Sequence, residues 1–139
     1  MNAPTFRYHR RPADGLTSAV IRDVVVAFYA RVRKDDVLGP VFAEIVGEEW
    51  DSHLEKVAAF WRYTTQIDRT YNARDFMPAH VRHPQIQASL LPRWLLLFRQ
   101  TAREVCTREA ADHLIGIAER MAASIEMSLA RRAERALLP

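Results

Sequence analysis

The chain has little sulfur chemistry to offer. Among its 139 residues there is one cysteine, Cys106. A single thiol closes no internal disulfide, so a reducing cytoplasm is the expected location. Zinc-finger spacing is excluded for the same reason. Cys106 falls in an apolar helical stretch, which predicts a buried, inert thiol. Glycine is scarce too, at four residues, and alternating β-branched runs are few, which argues against an all-β fold. The longest greasy stretch, Leu90 to Phe98, is broken by Pro92 and Arg93 and is too short to span a membrane. Arg7, Arg10 and Arg11 are followed by no apolar run, so no secretory signal is expected. Glu-x-x-His pairs, Gly-x-Ser-x-Gly and His-Glu-x-x-His are absent, which removes the di-iron, serine-hydrolase and zincin readings. There is no repeat, low-complexity tract or glycine-rich phosphate loop.

Apolar residues are abundant, at 49%. That is too many for a disordered chain, and the length suits one domain with one core. The net charge is +3. Acidic and basic residues are interleaved, so a solvated surface is expected and nucleic-acid binding is disfavoured. Residues 1–16 lack periodicity and contain Pro4, Pro12 and Gly15. They read as a flexible N-terminal arm, and residues 17–139 as the folded domain.

Helical periodicity organises that domain. Thr17 or Ser18 can cap a first long helix running to about Lys34, with Val20, Ile21, Val24, Val25, Phe28 and Val32 as its apolar face. Asp35 to Gly47 is broken by Gly39 and Pro40, with room for a short helix around Phe42. A second long helix opens at Glu48 and Glu49, acids suited to a helix N-terminus, and runs to about Thr65. Residues 66–76 are polar and irregular. A third long helix starts near Ser89, tolerates Pro92 in its first turn and ends near Thr107. The last runs from about Glu109 to Leu137, with Leu114, Ile117, Met121, Ile125 and Leu129 as its stripe.

Four polar residues stand inside these apolar patterns: Tyr29, His53, His80 and Trp94. Such groups are costly to bury without a partner. His53 shares one helical stripe with Val57, Phe60 and Trp61. On the residues alone, a core histidine bonded to a carbonyl is the favoured reading of His53. His80 sits between Pro78 and Pro84, so any helix through it is short. A metal-bound imidazole needs its second nitrogen satisfied, and the Phe76 carbonyl one turn back is a candidate. His83 is the rival ligand, weakened by Pro84 directly after it. Two imidazoles facing across a gap suit a haem iron. Tyr29 and Trp94 would add hydrogen-bond donors on apolar bodies, although either could equally be core.

Several stretches together resemble one family. They are Ala27-Phe28-Tyr29-Ala30-Arg31-Val32-Arg33-Lys34-Asp35, Leu38-Gly39-Pro40-Val41-Phe42, Glu49-Trp50, His53, Phe60-Trp61, Met77-Pro78-Ala79-His80 with Pro84, and Arg93-Trp94-Leu95-Leu96-Leu97-Phe98. In order and near-spacing this set, spanning roughly residues 17 to 130, is similar to the group III truncated haemoglobins, small bacterial globins. The resemblance implies an all-α truncated globin, a two-over-two helical sandwich around haem b (iron protoporphyrin). It implies His80 as the proximal iron ligand. It places Tyr29, His53 and Trp94 on the distal side, His53 also as a sixth-ligand candidate, and Phe42 at the haem edge. Phe28, Val57, Phe60 and Trp61 would line the pocket. Where the family carries a Tyr followed closely by Gly and Pro, this chain runs Tyr71-Asn72-Ala73-Arg74-Asp75-Phe76, one residue longer and without either.

The implied function is binding of oxygen, nitric oxide or other diatomic ligands. Nitric oxide dioxygenation or weak peroxidase turnover would be the enzymatic extension, served by an unidentified reductase. One alternative is a bis-histidyl haem sensor or electron-transfer module using His80 and His53. Another is a haem-free helical interaction or nucleic-acid-binding protein using the Arg-rich termini.

Overall fold

The structure, a computed structural model, describes residues 14–138. Six α-helices run through the described residues: α1 Ser18–Lys34, α2 Leu38–Val46, α3 Trp50–Thr64, α4 Phe76–Val81, α5 Leu91–Val105 and α6 Arg108–Ala136. Short 3₁₀ turns at Ala73–Asp75 and Ala88–Leu90 lead into α4 and α5. No strand occurs among the described residues. The chain is all-α, as the periodicity requires. Helix α1 packs on α3, α5 packs on α6, and α1 crosses onto α5. Two helices therefore lie over two, with the core where the pairs meet.

Local chemistry sets the ends. Thr17 Oγ1 accepts from the Val20 N–H at 3.1 Å and caps α1. Asp35 Oδ2 accepts from the amides of Val37 and Leu38, at 3.1 and 2.9 Å, and so starts α2. Its other oxygen takes Arg93 Nε at 2.9 Å and Nη2 at 2.5 Å. One carboxylate thus ties the end of α1, the start of α2 and the residue before Trp94. Gly39 permits this tight corner, because a Cβ there would meet the Arg33 carbonyl oxygen at 2.9 Å. Thr107 Oγ1 caps α6 by accepting from the Ala110 N–H at 3.2 Å.

Two boundaries shift from expectation. Helix α3 begins at Trp50 and not at the acids before it, and neither acid side chain caps it. Cys106 is not inside a helix. It is the C-cap of α5, half-buried, and burial raises its thiol pKa. The expected arm lies mostly outside the described residues. Its last residues are docked, since Leu16 belongs to the core and the Asp14 N–H donates to Glu109 Oε2 at 3.0 Å.

The core is strongly aromatic. Phe98 stacks on Trp61 at 5.0 Å and on Trp94 at 5.5 Å, and takes the edge of Phe28 at 5.3 Å. These offset and edge contacts join α1, α3 and α5 around one buried ring. Helix α6 buries the small residues Ala110, Ala111, Ala118 and Ala122 beside Leu114 and Ile125, and packs on α5.

Candidate functional site

A cavity of about 370 Å³ opens between α2, α3, α4 and the first turn of α5. Its wall is mainly apolar: Leu38, Val41, Phe42, Ile45, Ile86, Leu90, Leu91 and Ile125 all contribute. His53, His80, His83, Trp94, Ser52 and Gln87 bring polar groups to it, with Lys56, Arg82 and Glu49 also on the wall. An apolar cleft with a few convergent polar groups is the usual form of a small-ligand or cofactor site.

His80 enters from α4, a helix only six residues long. Pro84 cannot donate to the His80 carbonyl, so the helix stops. The imidazole Nδ1 lies 2.7 Å from the Phe76 carbonyl oxygen. A carbonyl only accepts, so Nδ1 carries the proton and Nε2 keeps its lone pair. Phe76 also supports the ring by contact at 4.6 Å and is itself stacked on Phe60 at 4.9 Å. Burial pushes the His80 pKa down; the Phe76 bond works against this, and the nearby His83 adds to it. The imidazole is held neutral, as a metal ligand must be.

His53 occupies α3 inside an aromatic cage. Tyr29, Trp50 and Phe42 meet its ring edge-on at 5.3, 5.6 and 6.5 Å. Its Nε2 is buried and has no hydrogen-bond partner among the described residues. The carbonyl-bonded core histidine that the residues alone favour is therefore not what the described residues show for Nε2. Burial lowers the His53 pKa, and the positive fields of Lys56 and His80 lower it further.

Tyr29 is buried behind His53 and Phe42, and does not form the wall itself. Burial raises the phenol pKa, opposed by a hydrogen bond from the side chain of Trp94. Trp50 backs the cage from outside and carries the Arg33 guanidinium 4.5 Å from its ring centre.

The structure thus gathers Phe42, His53, His80 and Trp94 on one cavity. The expected pocket-lining residues Phe28, Val57, Phe60 and Trp61 are not on that wall. Phe28 and Trp61 are consumed by the Phe98 stack, Val57 packs against the core, and Phe60 turns to Phe76. Ile86, Leu90 and Lys56 take wall positions that sequence reasoning did not single out. Ile86 lies in an aperiodic stretch with no helical signal, and Leu90 falls at the very start of the expected third helix, where its facing is not fixed by periodicity. Lys56 is masked by an ordinary solvated-helix pattern.

No protein-family model matches the chain. In sequence it is 29% identical over 112 residues to the group 3 truncated haemoglobin ctb of Campylobacter jejuni, covering 78% of this chain and 87% of that protein. In structure it matches the crystal structure of the group III truncated haemoglobin from Campylobacter jejuni, with a TM-score of 0.78 and 27% identity, over 84% of this chain and 93% of that one. This chain is a relative of the group III truncated haemoglobins. The two-over-two arrangement is then that of a truncated globin, and the cavity lies between its helix pairs and the short α4.

Proposed function

We propose that this chain is a haem protein that binds oxygen, nitric oxide or another diatomic ligand between His80 and His53. One observation carries the reading: two neutral imidazoles share an apolar cavity, His80 with Nδ1 satisfied by Phe76 and His53 with a buried, partnerless Nε2. The donor set fits haem b. His80 would hold it through Nε2, and Phe42, Ile86, Leu90 and Ile125 would face its apolar ring. When bound, haem supplies an iron that takes a diatomic ligand and exchanges single electrons.

The chain's own residues supply the rest. An indole donating from Trp94 to Tyr29 would leave the phenol proton free for an acceptor in the cavity. Each such bond to a polarised ligand contributes on the order of 1–3 kcal/mol in a dry pocket. His53 stands between Tyr29 and the cavity, so its imidazole gates access to that proton. For turnover, the reading is nitric oxide detoxification: one nitric oxide, one oxygen and one electron give one nitrate. That asks for an enclosed polar pocket and an outside reductase. Peroxide cleavage ranks below it, because His80 gives its Nδ1 proton to a neutral carbonyl and not to a carboxylate, which makes it a weaker electron donor.

The orphaned Nε2 of His53 favours one second reading, in which His53 is the opposing axial ligand of a sensor or electron-transfer centre. Haemin titration followed by absorption spectroscopy tests all of these. A strong Soret band saturating at one haemin per chain is expected. A low-spin ferric spectrum would favour the bis-histidyl reading and a high-spin one the ligand-binding reading. No saturable Soret band would overturn both. Mixing the oxygenated protein with nitric oxide should yield nitrate; no nitrate would overturn the detoxification reading.

A further inference from the structure

The segment after His80 is held by a cation from the far end of the chain. Arg132, half-buried on α6, donates from Nη1 to the carbonyls of Val81 at 3.1 Å and His83 at 2.9 Å. Its Nη2 donates to the Ile86 carbonyl at 2.7 Å. These acceptors exist because α4 stops early. Pro84 cannot donate, and the backbone turns back through the Ile86 N–H to the His83 carbonyl at 3.1 Å. The carbonyls of Val81 and Ile86 then receive no backbone donor among the described residues. Buried carbonyls left this way are costly, and a guanidinium has five donors in a rigid fork to satisfy them. No carboxylate forms an ion pair with Arg132 among the described residues. Its charge is balanced by those three carbonyl dipoles.

We infer that Arg132 is a positioning residue for His80, fixing the backbone of residues 81–86 so that the imidazole keeps one orientation toward the cavity. The inference rests on the proposed role of His80 as haem ligand. Val81 follows His80 directly, so a bond to its carbonyl restrains the Val81–Arg82 peptide, one residue beyond the ligand-bearing one. The Phe76 bond fixes the ring from the N-terminal side, and Arg132 fixes the backbone from the C-terminal side. Lysine, with a single ammonium on a flexible stem, cannot reproduce the three-carbonyl fork.

The test uses the full chain reconstituted with haemin and the variants Arg132→Met and Arg132→Lys. Arg132→Met keeps the stem and removes every donor. Haem transfer to excess apomyoglobin should accelerate about tenfold, in the range set by losing a ligand's supporting bonds. The iron–imidazole stretching band of the ferrous protein should broaden or shift. Arg132→Lys should fall between. An unchanged band and transfer rate in Arg132→Met would overturn the inference. Hydrogen exchange of the haem-free chain provides a readout that needs no cofactor. Amides of 81–87 should exchange roughly fivefold faster in Arg132→Met while α1 amides hold; equal exchange would overturn the clamp. If the parent chain took up no haem, the proposed function would fail, and the exchange result would still decide whether Arg132 orders this segment. If Arg132→Met did not fold, a parental band and exchange pattern in Arg132→Lys would overturn the need for the fork, and intermediate values would support it.

Discussion

The polar residues around the cavity differ in what surrounds each, and that difference sets what each can do. In the proposed pocket Tyr29 and Trp94 act as a donor pair, with the Trp94 side chain opposing the rise that burial gives the phenol pKa. Tyr29→Phe removes that proton and little volume. Oxygen dissociation from the haem-loaded protein should accelerate about tenfold if the bond contributes about 1.4 kcal/mol. Trp94→Phe should accelerate it less, because it loosens the phenol without removing its proton. Stopped-flow ligand replacement checks both, and unchanged rates with haem still bound would contradict the arrangement. His53 and His80 both have pKa values pushed below the ordinary 6.5 by burial. The unfolded chain then binds more protons than the folded one below about pH 6.5, so stability is full above that pH and falls as pH drops through the folded values. The urea midpoint of the haem-free chain should fall between pH 7 and 5.5. His53→Leu should flatten part of that slope and speed ligand entry. An unaltered slope would show that His53 already titrates normally.

Helix ends and corners are where the sequence departs from the simplest rules. Helix α3 closes in a turn in which the Ile67 N–H reaches the Arg62 carbonyl at 2.8 Å and the Gln66 N–H the Tyr63 carbonyl at 3.1 Å. That pattern places the residue after the cap in the left-handed region, and here it is Gln66, at φ 66°. Glycine normally holds that position, because a Cβ there crowds the next carbonyl. Gln66→Gly should therefore stabilise the chain by roughly 0.5 kcal/mol, the relief of that contact less glycine's greater chain entropy. At a slope of about 2 kcal/mol per M, the urea midpoint should rise about 0.25 M. A fall would mean that the Gln66 side chain has a role that its exposed position does not reveal. The Asp35 corner works in the opposite sense. Arg93 and the α2 amides hold its carboxyl below the ordinary 3.8. Its contribution is present above that pH and is lost as pH falls through the lowered value.

At the scale of the whole molecule, the helices were legible and the division of the aromatics was not. Thr17 as a cap, the stop at Lys34 and the long last helix follow from apolar spacing and cap chemistry that act within a few residues. His80 and its Phe76 carbonyl were also readable, because Pro78 and Pro84 confine that segment locally. Which large rings face the cavity is a long-range matter. Phe60 and Trp61 share a stripe with His53, yet the ring of Phe76 and the stack centred on Phe98 draw them away from the cavity, and Phe28 joins that stack from α1. Arg132 was invisible for the same reason, since its carbonyl partners lie about 50 residues back in the chain. All of these elements converge on one claim, that the globin fold presents the Nε2 of His80 to a haem iron. The most direct test is His80→Gly with free imidazole. The glycine variant should lose the five-coordinate ferrous spectrum of the parent or fail to retain haem, millimolar imidazole should restore that spectrum, and His83→Gly should behave like the parent. A parental spectrum in His80→Gly without imidazole, or its loss in His83→Gly, would contradict the account.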